Sequence, residues 1–466
     1  MTNQDHRRIN GWVVLGGFCL AAGLLRAQPA RTAQNAAMEQ EFQAAMSAQD
    51  HGDLDKAESM LIALRSKHPG LFAVDESLGL LFVSREKFEA ALPILKAAVK
   101  DDPSSGIAHA NLGADYMKLG KSTDAVNELK IAAKLNPKDK DTQSSLGHAL
   151  MSSGQPADAA KAFGEAVTLE PQNSDLRYNW AAALLEAGHA DQASDALAPI
   201  PDQSKMPHVQ ALLGEIAEKQ GRYVDAAEHL QAAARLDPSE QNLYALGYEF
   251  MRHWTFEPAI KIFSYGIQRF PNSQRLQLGL GIAEYSMNDL ALAAPIFAQL
   301  LDTDPESAIY ADLLGRSCSL MPEMAKGCEK LEGFAEKHPK NATIATYAAA
   351  SILHRSNQAD DLVVASGLLT QAISLDPKLA EAHFQMGVLE QYQKRWKESI
   401  GELETAIELK PEDSKAHYRL AMAYSHTGQR DKAQEEIALQ KKYSDLEKDD
   451  FNARRKEVKT FLMATP

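Results

Sequence analysis

The sequence predicts an all-α fold, an α-solenoid built from about twelve helix–turn–helix units in tandem. The first observation is a set of ten prolines that recur at steps of 33, 34 or 38 residues, with one double step of 67 residues. The second is that each interval holds two runs of apolar residues at helical spacing, separated by a glycine or polar turn. A fixed period of this size indicates stacked two-helix units rather than one core. The prolines are Pro69, Pro103, Pro137, Pro171, Pro238, Pro271, Pro305, Pro339, Pro377 and Pro411.

The unit from Gly106 to Asp139 shows the motif of one period. It contains, in order, Leu112-Gly113, Tyr116, Gly120-Lys121, Ala125, Ala132 and Asn136-Pro137. This L-G-x-x-Y … A-x-x-x-F … P pattern resembles the tetratricopeptide repeat family. The resemblance implies that each unit is a pair of antiparallel helices, A and B, and that the units form a right-handed superhelix. In this register the repeats cover residues 38–446 and begin at Met38, Phe72, Gly106, Lys140, Ser174, Pro207, Glu240, Gln274, Ala308, Ala342, Ala380 and Ser414.

Small residues at fixed positions indicate how the two helices of a unit fit together. Gly or Ala stands at the eighth position, in helix A, and Ala recurs at the twentieth position, in helix B, so the two backbones can approach closely. Glycines such as Gly120 and Gly154 are expected at the A–B turn, because glycine takes a positive φ at the lowest cost. The closing proline ends helix B, because proline cannot continue a helix and restricts the residue before it.

Two units depart from the pattern. The fifth has Trp180-Ala181 in place of Leu-Gly, and it carries Pro199 and Pro201 where helix B should continue, which predicts a shortened helix B. The tenth holds about four extra residues around 356–361, which predicts a longer A–B turn. Either unit is a candidate for a bend in the stack.

The N-terminal residues predict a secretory signal peptide at residues 1–27. Arg7-Arg8 precede an uncharged, mostly apolar run from Ile9 to Leu25, and Ala27 offers a small residue for cleavage. The run is near the lower length limit for spanning a bilayer, so an uncleaved membrane anchor is the alternative. We therefore expect an exported protein, periplasmic or extracellular, in which residues 28–37 form a linker before the repeats.

The C-terminal residues 447–466 predict one further charged helix. Its apolar residues are Phe451, Val458 and Leu462, and basic residues separate them. A repeat stack needs an end that is polar on its outer side. We expect this helix to cap the last repeat.

Two cysteines of the ninth unit pose an open question. Cys318 falls near the end of helix A and Cys328 early in helix B, so both would line the same helix pair. In an oxidising compartment a disulfide between them is one expectation. The alternative is a pair of small buried thiols that fill gaps between helices.

Composition and motifs argue against several classes of function. The 466 residues include 49 basic and 63 acidic side chains, a net charge of −14, which disfavours nucleic acid and anionic lipid as partners of the repeats. The sequence has no H-E-x-x-H, C-x-x-C or G-x-S-x-G motif, so we predict no enzyme activity, metal or cofactor. His109, His383 and His417 recur at one position of helix A, and we expect them to pack structurally rather than bind a metal.

The inner face of the stack is the candidate binding site. The resemblance implies that the second, fifth, sixth, ninth and twelfth positions of helix A face a groove. Aromatic and apolar side chains at such positions are the usual anchors of protein binding. Packing between neighbouring repeats is the alternative role for the same side chains. The candidate groove residues are Tyr178, Tyr244, Tyr248, Met251, Leu278, Tyr285, Phe384 and Tyr418.

The sequence therefore predicts an exported scaffold that binds a protein or peptide partner along this groove, in the assembly of envelope components. Two alternatives stay open. One is a structural protein that assembles with itself end to end. The other is the binding subunit of a polysaccharide-export or glycosyltransfer complex, since aromatic groove residues also suit sugars. The sequence does not define the oligomeric state.

Overall fold

Antiparallel helix pairs follow one another along the part of the chain that the structure describes. This computed structural model describes residues 33–319, 328, 330–356 and 358–463, and the predicted signal peptide lies outside these ranges. Within them there are twenty-four α-helices and one short 3-10 turn (Gln203–Lys205), and no β-strand. The predicted all-α solenoid is confirmed. None of the described helices combines the length and apolarity needed to cross a membrane.

The chain divides into two compact units. The first ends at Gln203 and also includes Glu215–Gly221, and the second comprises Ser204–Gly214 and the chain from Arg222 onward. The helices of the first unit are α1 (Ala33–Asp50), α2 (Leu54–Lys67), α3 (Phe72–Ser84), α4 (Phe88–Asp101), α5 (Gly106–Lys118), α6 (Ser122–Leu135), α7 (Lys140–Ser152), α8 (Pro156–Leu169), α9 (Ser174–Glu186) and α10 (Ala190–Leu197).

Helix α11 (Pro207–Lys219) is divided between the two units. The helices of the second unit are α12 (Tyr223–Leu236), α13 (Glu240–Arg252), α14 (Phe256–Arg269), α15 (Gln274–Ser286), α16 (Leu290–Thr303), α17 (Ala308–Ser319), α18 (Lys330–Lys337), α19 (Ala342–Arg355), α20 (Ala359–Leu375), α21 (Ala380–Tyr392), α22 (Trp396–Leu409), α23 (Ser414–His426) and α24 (Arg430–Met463). From the second repeat to the twelfth, helix A begins at the residue that the sequence register specifies. In the first repeat, α1 begins at Ala33, five residues before Met38.

The absence of a side chain at the eighth position brings helices A and B of a repeat together. A Cβ atom placed on Gly113 would lie 2.6 Å from Cγ of Leu129, and one placed on Gly247 would lie 2.5 Å from Cε1 of Phe263. Both partners stand at the twenty-fourth position of their repeat. In the first eleven repeats the residue at this position, or its equivalent, is at most 4% exposed: Leu61, Leu95, Leu129, Phe163, Leu197, Leu230, Phe263, Phe297, Leu331, Leu369 and Leu403. The contact between the eighth and the twenty-fourth positions therefore recurs in the core of the repeats.

Ten of the described A–B turns contain one residue in the left-handed region. The predicted turn glycines, Gly52, Gly120, Gly154, Gly188, Gly221 and Gly428, all have φ between 70° and 85°. Four repeats without glycine there use Glu86, Trp254, Asn288 and Lys394 instead, with φ between 57° and 65°. The turn geometry is therefore kept even where the side chain disfavours it.

The structure agrees with the prediction for one of the two irregular repeats and differs from it for the other. In the fifth repeat, helix B is shortened to eight residues and ends at Leu197, as Pro199 and Pro201 predict. Trp180 fits because Gly164 on α8 leaves room for its ring, with the Cβ position of that glycine 3.3 Å from the indole Nε1. In the tenth repeat the predicted longer turn is wrong. The turn keeps three residues, 356–358, while helix A gains one residue and helix B gains three relative to the third repeat.

The last helix also differs from the prediction. The C-terminal segment is not a separate capping helix, because α24 is continuous from Arg430 to Met463. Residues 430–463 contain no proline and no glycine, so nothing in them ends helix B after the usual 14 residues.

In three of the repeats, a buried histidine of helix A contacts both helix B and the preceding proline turn. In His109 the ring Nδ1 lies 2.6 Å from Glu128 of helix B, and Nε2 lies 3.2 Å from the carbonyl oxygen of Pro103. His383 and His417 repeat the arrangement with Glu402 and Pro377, and with Glu436 and Pro411. These side chains therefore hold helix A to helix B and to the preceding proline turn.

Cys318 and Cys328 form a disulfide, with their Cα atoms 5.7 Å apart. Both residues are at most 7% exposed and lie in an apolar cluster with Leu314 and Leu331. The bond thus links the end of α17 to the residues just before α18.

One buried carboxylate in the first unit opposes folding at neutral pH. Neither side-chain oxygen of Asp115 has a hydrogen-bond partner among the described residues, and the residue is fully buried. Burial, followed by repulsion from Glu89, raises the pKa of Asp115 to about 6 from 3.8. Well below pH 3.8 the group is neutral in both states. As pH rises from 4 through 6, the unfolded chain ionises more readily, and stability is lost.

We expect Gly113→Ala to destabilise the fold by about 1–2 kcal/mol, because its new methyl group overlaps Leu129. The matched control is Gly401→Ala in α22, where nothing lies within 4 Å of the Cβ position. That change should stabilise by up to about 1 kcal/mol, since alanine is the better helix former. Thermal unfolding followed by circular dichroism distinguishes the two, and equal midpoints would contradict the close-contact explanation.

Asp115→Asn should stabilise the protein by about 2–3 kcal/mol at pH 7.5, because it removes the ionisation penalty of a pKa shift of about 2 units. At pH 3, below the pKa of Asp115 in both states, this pH-dependent difference should disappear, which provides an internal control. Denaturant titrations from pH 3 to pH 8 measure the difference. A difference that does not change with pH would show that Asp115 ionises as readily in the folded state as in the unfolded chain.

Candidate functional site

One cleft in the second unit is bounded by helices A of five consecutive repeats, α15, α17, α19, α21 and α23. Its volume is about 350 Å³. We call this surface the A-helix cleft. It is lined by Tyr285, Arg316, Tyr347, Ala350, Leu353, His354, Glu381, Phe384, Gln385, Val388, Tyr392, Lys410, Asp413, Ser414, Lys415 and Arg419.

Aromatic side chains from three helices form part of the wall of the cleft. They are Tyr285 from α15, Tyr347 from α19, and Phe384 and Tyr392 from α21. Tyr392 is 42% exposed, whereas Tyr347 is only 2% exposed. The wall therefore combines rings held by the core with a ring that is open to solvent.

A hydrogen-bonded group, in which Tyr347 is buried and Asp312 and Arg316 are partly exposed, supports the floor of the cleft. Asp312 accepts a hydrogen bond from the Tyr347 hydroxyl at 2.7 Å and another from Nε of Arg316, also at 2.7 Å. Burial raises the pKa of Tyr347, so its hydroxyl stays a donor. The tyrosine ring occupies the space beside Gly315, where a Cβ would lie 1.9 Å from the ring Cγ. This arrangement fixes the position of the Arg316 guanidinium at the cleft.

The rim of the cleft is more basic than acidic. Four lining residues carry positive charge, namely Arg316, Lys410, Lys415 and Arg419, against two carboxylates, Glu381 and Asp413. Within the described ranges, Lys415 and Arg419 form no ion pair. Arg419 donates to the neutral amide of Gln391, at 3.3 Å. Arg316 pairs with Asp312 and Lys410 with Asp413, so Lys415 and Arg419 supply the excess positive charge of the cleft, in a chain whose net charge is −14.

The two carboxylates of the cleft differ in their environments. Burial raises the pKa of Glu381, and the side-chain amide of Gln385 donates to it at 2.8 Å. Asp413 caps α23 by accepting from the backbone N–H groups of Lys415 and Ala416. Burial opposes its ionisation, but Lys410 at 3.1 Å and these backbone donors hold the pKa of Asp413 below its usual range. Asp413 is therefore committed to the helix end and to Lys410.

Of the eight predicted groove residues, the structure brings Tyr285 and Phe384 into this cleft. Leu278 and Tyr285 also pack against the cluster around Phe297, and Phe384 packs against the cluster around Leu403. Tyr178 is half-buried in the first unit. Their roles in binding remain predictions.

Tyr244 and Tyr248 form a separate aromatic pair on α13. Their rings stack with centroids 5.9 Å apart. Tyr244 is half-buried, lies 6.2 Å from the ring of Phe263, and packs with Met251 against the same cluster. Tyr248 is 46% exposed. The pair therefore joins one residue that supports the core and one that is accessible.

Tyr418 lies outside the A-helix cleft and is 54% exposed. It borders a smaller cavity of about 160 Å³ with Met422 and Ile437 at the last repeat. The inward positions of neighbouring repeats thus contribute to more than one surface.

Sequence reasoning missed the polar half of the cleft. Arg316, Tyr347 and Glu381 stand at the ninth, sixth and second positions of their repeats, and Lys415 and Arg419 stand at the second and sixth. These are inward positions in the family pattern. Their positions in the repeats could therefore have predicted them, but the sequence prediction considered mainly aromatic side chains and the fifth position.

Two tetratricopeptide repeat family models match the sequence. One matches residues 42–106, 76–139, 110–174 and 244–308, and the other matches residues 150–216 and 390–445. The chain belongs to the tetratricopeptide repeat family, and this repeat architecture is that of a protein-interaction scaffold. No curated protein matches the sequence significantly.

Several solved structures are similar in fold. A tetratricopeptide repeat protein from Parabacteroides merdae ATCC 43184 is 17% identical, with 53% of this chain and 98% of that chain covered and a TM-score of 0.40. The structure of pilF of Pseudomonas aeruginosa is 18% identical, with 45% of this chain and 96% of that chain covered and a TM-score of 0.37. The structure of Naa15/Naa10 bound to HypK-THB is 16% identical, with 86% of this chain and 68% of that chain covered and a TM-score of 0.36. These likenesses concern the fold alone.

Replacing Tyr244 and Tyr248 one at a time should show which of the two rings contributes to the stability of the core. Tyr244→Ala should destabilise the protein by about 2 kcal/mol, because it opens a gap beside Phe263. Tyr248→Ala should change stability by less than about 0.5 kcal/mol, as expected for an exposed position. Thermal unfolding measures both. Equal losses would mean that Tyr248 is also part of the core and is unsuited to binding.

Proposed function

We propose that this protein is a non-catalytic scaffold that binds an extended segment of a partner polypeptide in the A-helix cleft. The observation that carries the proposal is the composition of the cleft. Aromatic walls and four cationic side chains converge on one surface of an otherwise acidic chain. Scaffolds of this repeat family use such surfaces for protein partners.

The chemistry of the cleft favours a segment that carries both acidic and apolar side chains. Arg316, Lys415 and Arg419 offer donors for carboxylates, and charge-assisted hydrogen bonds are stronger than neutral ones. Phe384 and Tyr392 offer rings on which an apolar side chain of the partner can pack. Glu381 also lines the cleft, and a carboxylate there disfavours an anionic group of the partner beside it.

We place this function in the bacterial envelope, as an aid to the assembly of envelope components. The support for this setting is the sequence of residues 1–27, with its basic start, apolar run and small residues before Pro29. N-terminal sequencing of protein purified from envelope fractions tests it. A chain that starts at Gln28 supports export, and an intact protein found only in the cytosol contradicts it.

Binding of three labelled twelve-residue peptides, measured by fluorescence polarisation, tests the proposed function. Each peptide alternates leucine with one polar residue, which is glutamate, glutamine or lysine. We expect the glutamate peptide to bind at least tenfold more tightly than the other two. Lys415→Glu combined with Arg419→Glu should weaken its binding at least tenfold, because the cationic rim is reversed.

The matched control is Lys130→Glu combined with Lys134→Glu, a similar charge change on exposed positions of α6 in the first unit. This variant should bind the glutamate peptide as the parent does. Circular dichroism checks that all variants stay folded. Equal binding of the three peptides, or equal weakening by both double variants, would contradict binding at the A-helix cleft.

A further inference from the structure

The last repeat leaves an apolar surface uncovered. This surface, the end face, consists of Tyr418, Met422 and Ile437 around the cavity of about 160 Å³. Ile437 is 53% exposed, whereas the eleven residues at the same position of the earlier repeats are at most 4% exposed. The chain thus carries a core residue at its C-terminal end without the cover that such residues have elsewhere.

The internal repeats show what covers this position. The ring of Phe263 is closed off by helix A of the next repeat, α15, where a Cβ on Gly279 would lie 2.6 Å from the ring. No further helix A follows α24 in the described chain. The end face is therefore shaped to receive one more amphipathic helix, in continuity with the interfaces between repeats.

The N-terminal end of the stack does not fit this role. In later repeats the seventh position of helix A is a buried leucine, as in Leu112 and Leu246, which are 2% and 1% exposed. In α1 the seventh position is the exposed Ala44, and the third and sixth are the exposed Gln40 and Gln43. A head-to-tail contact would place polar side chains on an apolar surface, which is costly.

Helix α24 offers a better occupant. It has 34 residues, against 14 in the helix B of the third repeat, and it packs chiefly against α23. Its last 17 residues, 447–463, span about 25 Å at the rise of an α-helix. Because α24 is continuous, this extension does not fold back over the end face of its own chain. We call residues 447–463 the α24 extension.

The sequence of the α24 extension suits the end face of a second copy. It carries apolar residues at the spacing i, i+7 and i+11, namely Phe451, Val458 and Leu462, which is typical of an amphipathic helix. It contains five basic and four acidic residues, in a chain with a net charge of −14. A slightly cationic helix is therefore electrostatically favoured against an acidic partner of the same sequence.

We propose that two copies of this chain form a symmetric dimer in which the α24 extension of each copy lies on the end face of the other. A two-fold arrangement makes this exchange self-complementary, so both end faces are covered at once and the assembly closes at two copies. The dimer is independent of the A-helix cleft and of what binds there.

Sedimentation velocity of the purified full chain from 1 to 100 µM tests the dimer. We expect a dimer whose dissociation constant rises at least tenfold on Ile437→Glu, because the change buries a charge in an apolar contact. The control is Ile107→Glu, at an isoleucine on α5 that is 51% exposed. This variant has the same net charge and should dimerise as the parent does.

Deletion of residues 447–466 provides a second test of the dimer. The shortened chain should be monomeric over the same concentrations and keep the thermal midpoint of the repeats. A parent chain that is monomeric throughout overturns the proposal and leaves the end face to another protein or to solvent. A dimer that survives Ile437→Glu, or survives the deletion, overturns the proposed exchange of helices.

Discussion

The close approach of helix A to helix B within each repeat is the constraint on which the rest of the structure depends. It requires a Gly or Ala at the eighth position, because a larger side chain would overlap the residue at the twenty-fourth. Gly79, Gly147 and Gly281 meet Leu95, Phe163 and Phe297 in this way. The contact is dry and tightly packed, so it determines the width of a repeat and the surface that each repeat offers to the next.

The A-helix cleft follows from this constraint. When helix pairs of equal width succeed one another, the inward positions of neighbouring helices A come to lie side by side. Side chains that are about 34 residues apart in sequence, such as Glu381 and Lys415, then border one space. Hydrogen bonds from Tyr347 and Arg316 to Asp312 link two of these neighbouring helices at the floor of the cleft. A repeat scaffold can therefore build a charged, aromatic surface from the side chains of successive repeats.

The repeat pattern predicted local structure well, because helix ends and turns depend on nearby residues. Proline at the close of helix B and glycine at the A–B turn act through their own backbone preferences. The failures also have local causes. The extra residues of the tenth repeat lengthen helices rather than a turn, because the inserted segment contains no proline or glycine to keep it out of a helix. The C-terminal segment likewise continues α24.

By itself, then, the sequence determined the period, the start of helix A in eleven of the twelve repeats and the small-residue contacts. It did not determine which inward side chains share a surface. Tyr285 and Phe384 reach one cleft, Tyr244 supports a core and Tyr418 borders the end face, although all four sit at inward positions. Only the tertiary structure decided this, because burial, hydrogen bonding and charge at each position depend on residues from two or three neighbouring repeats. A periodic pattern treats those positions as equivalent.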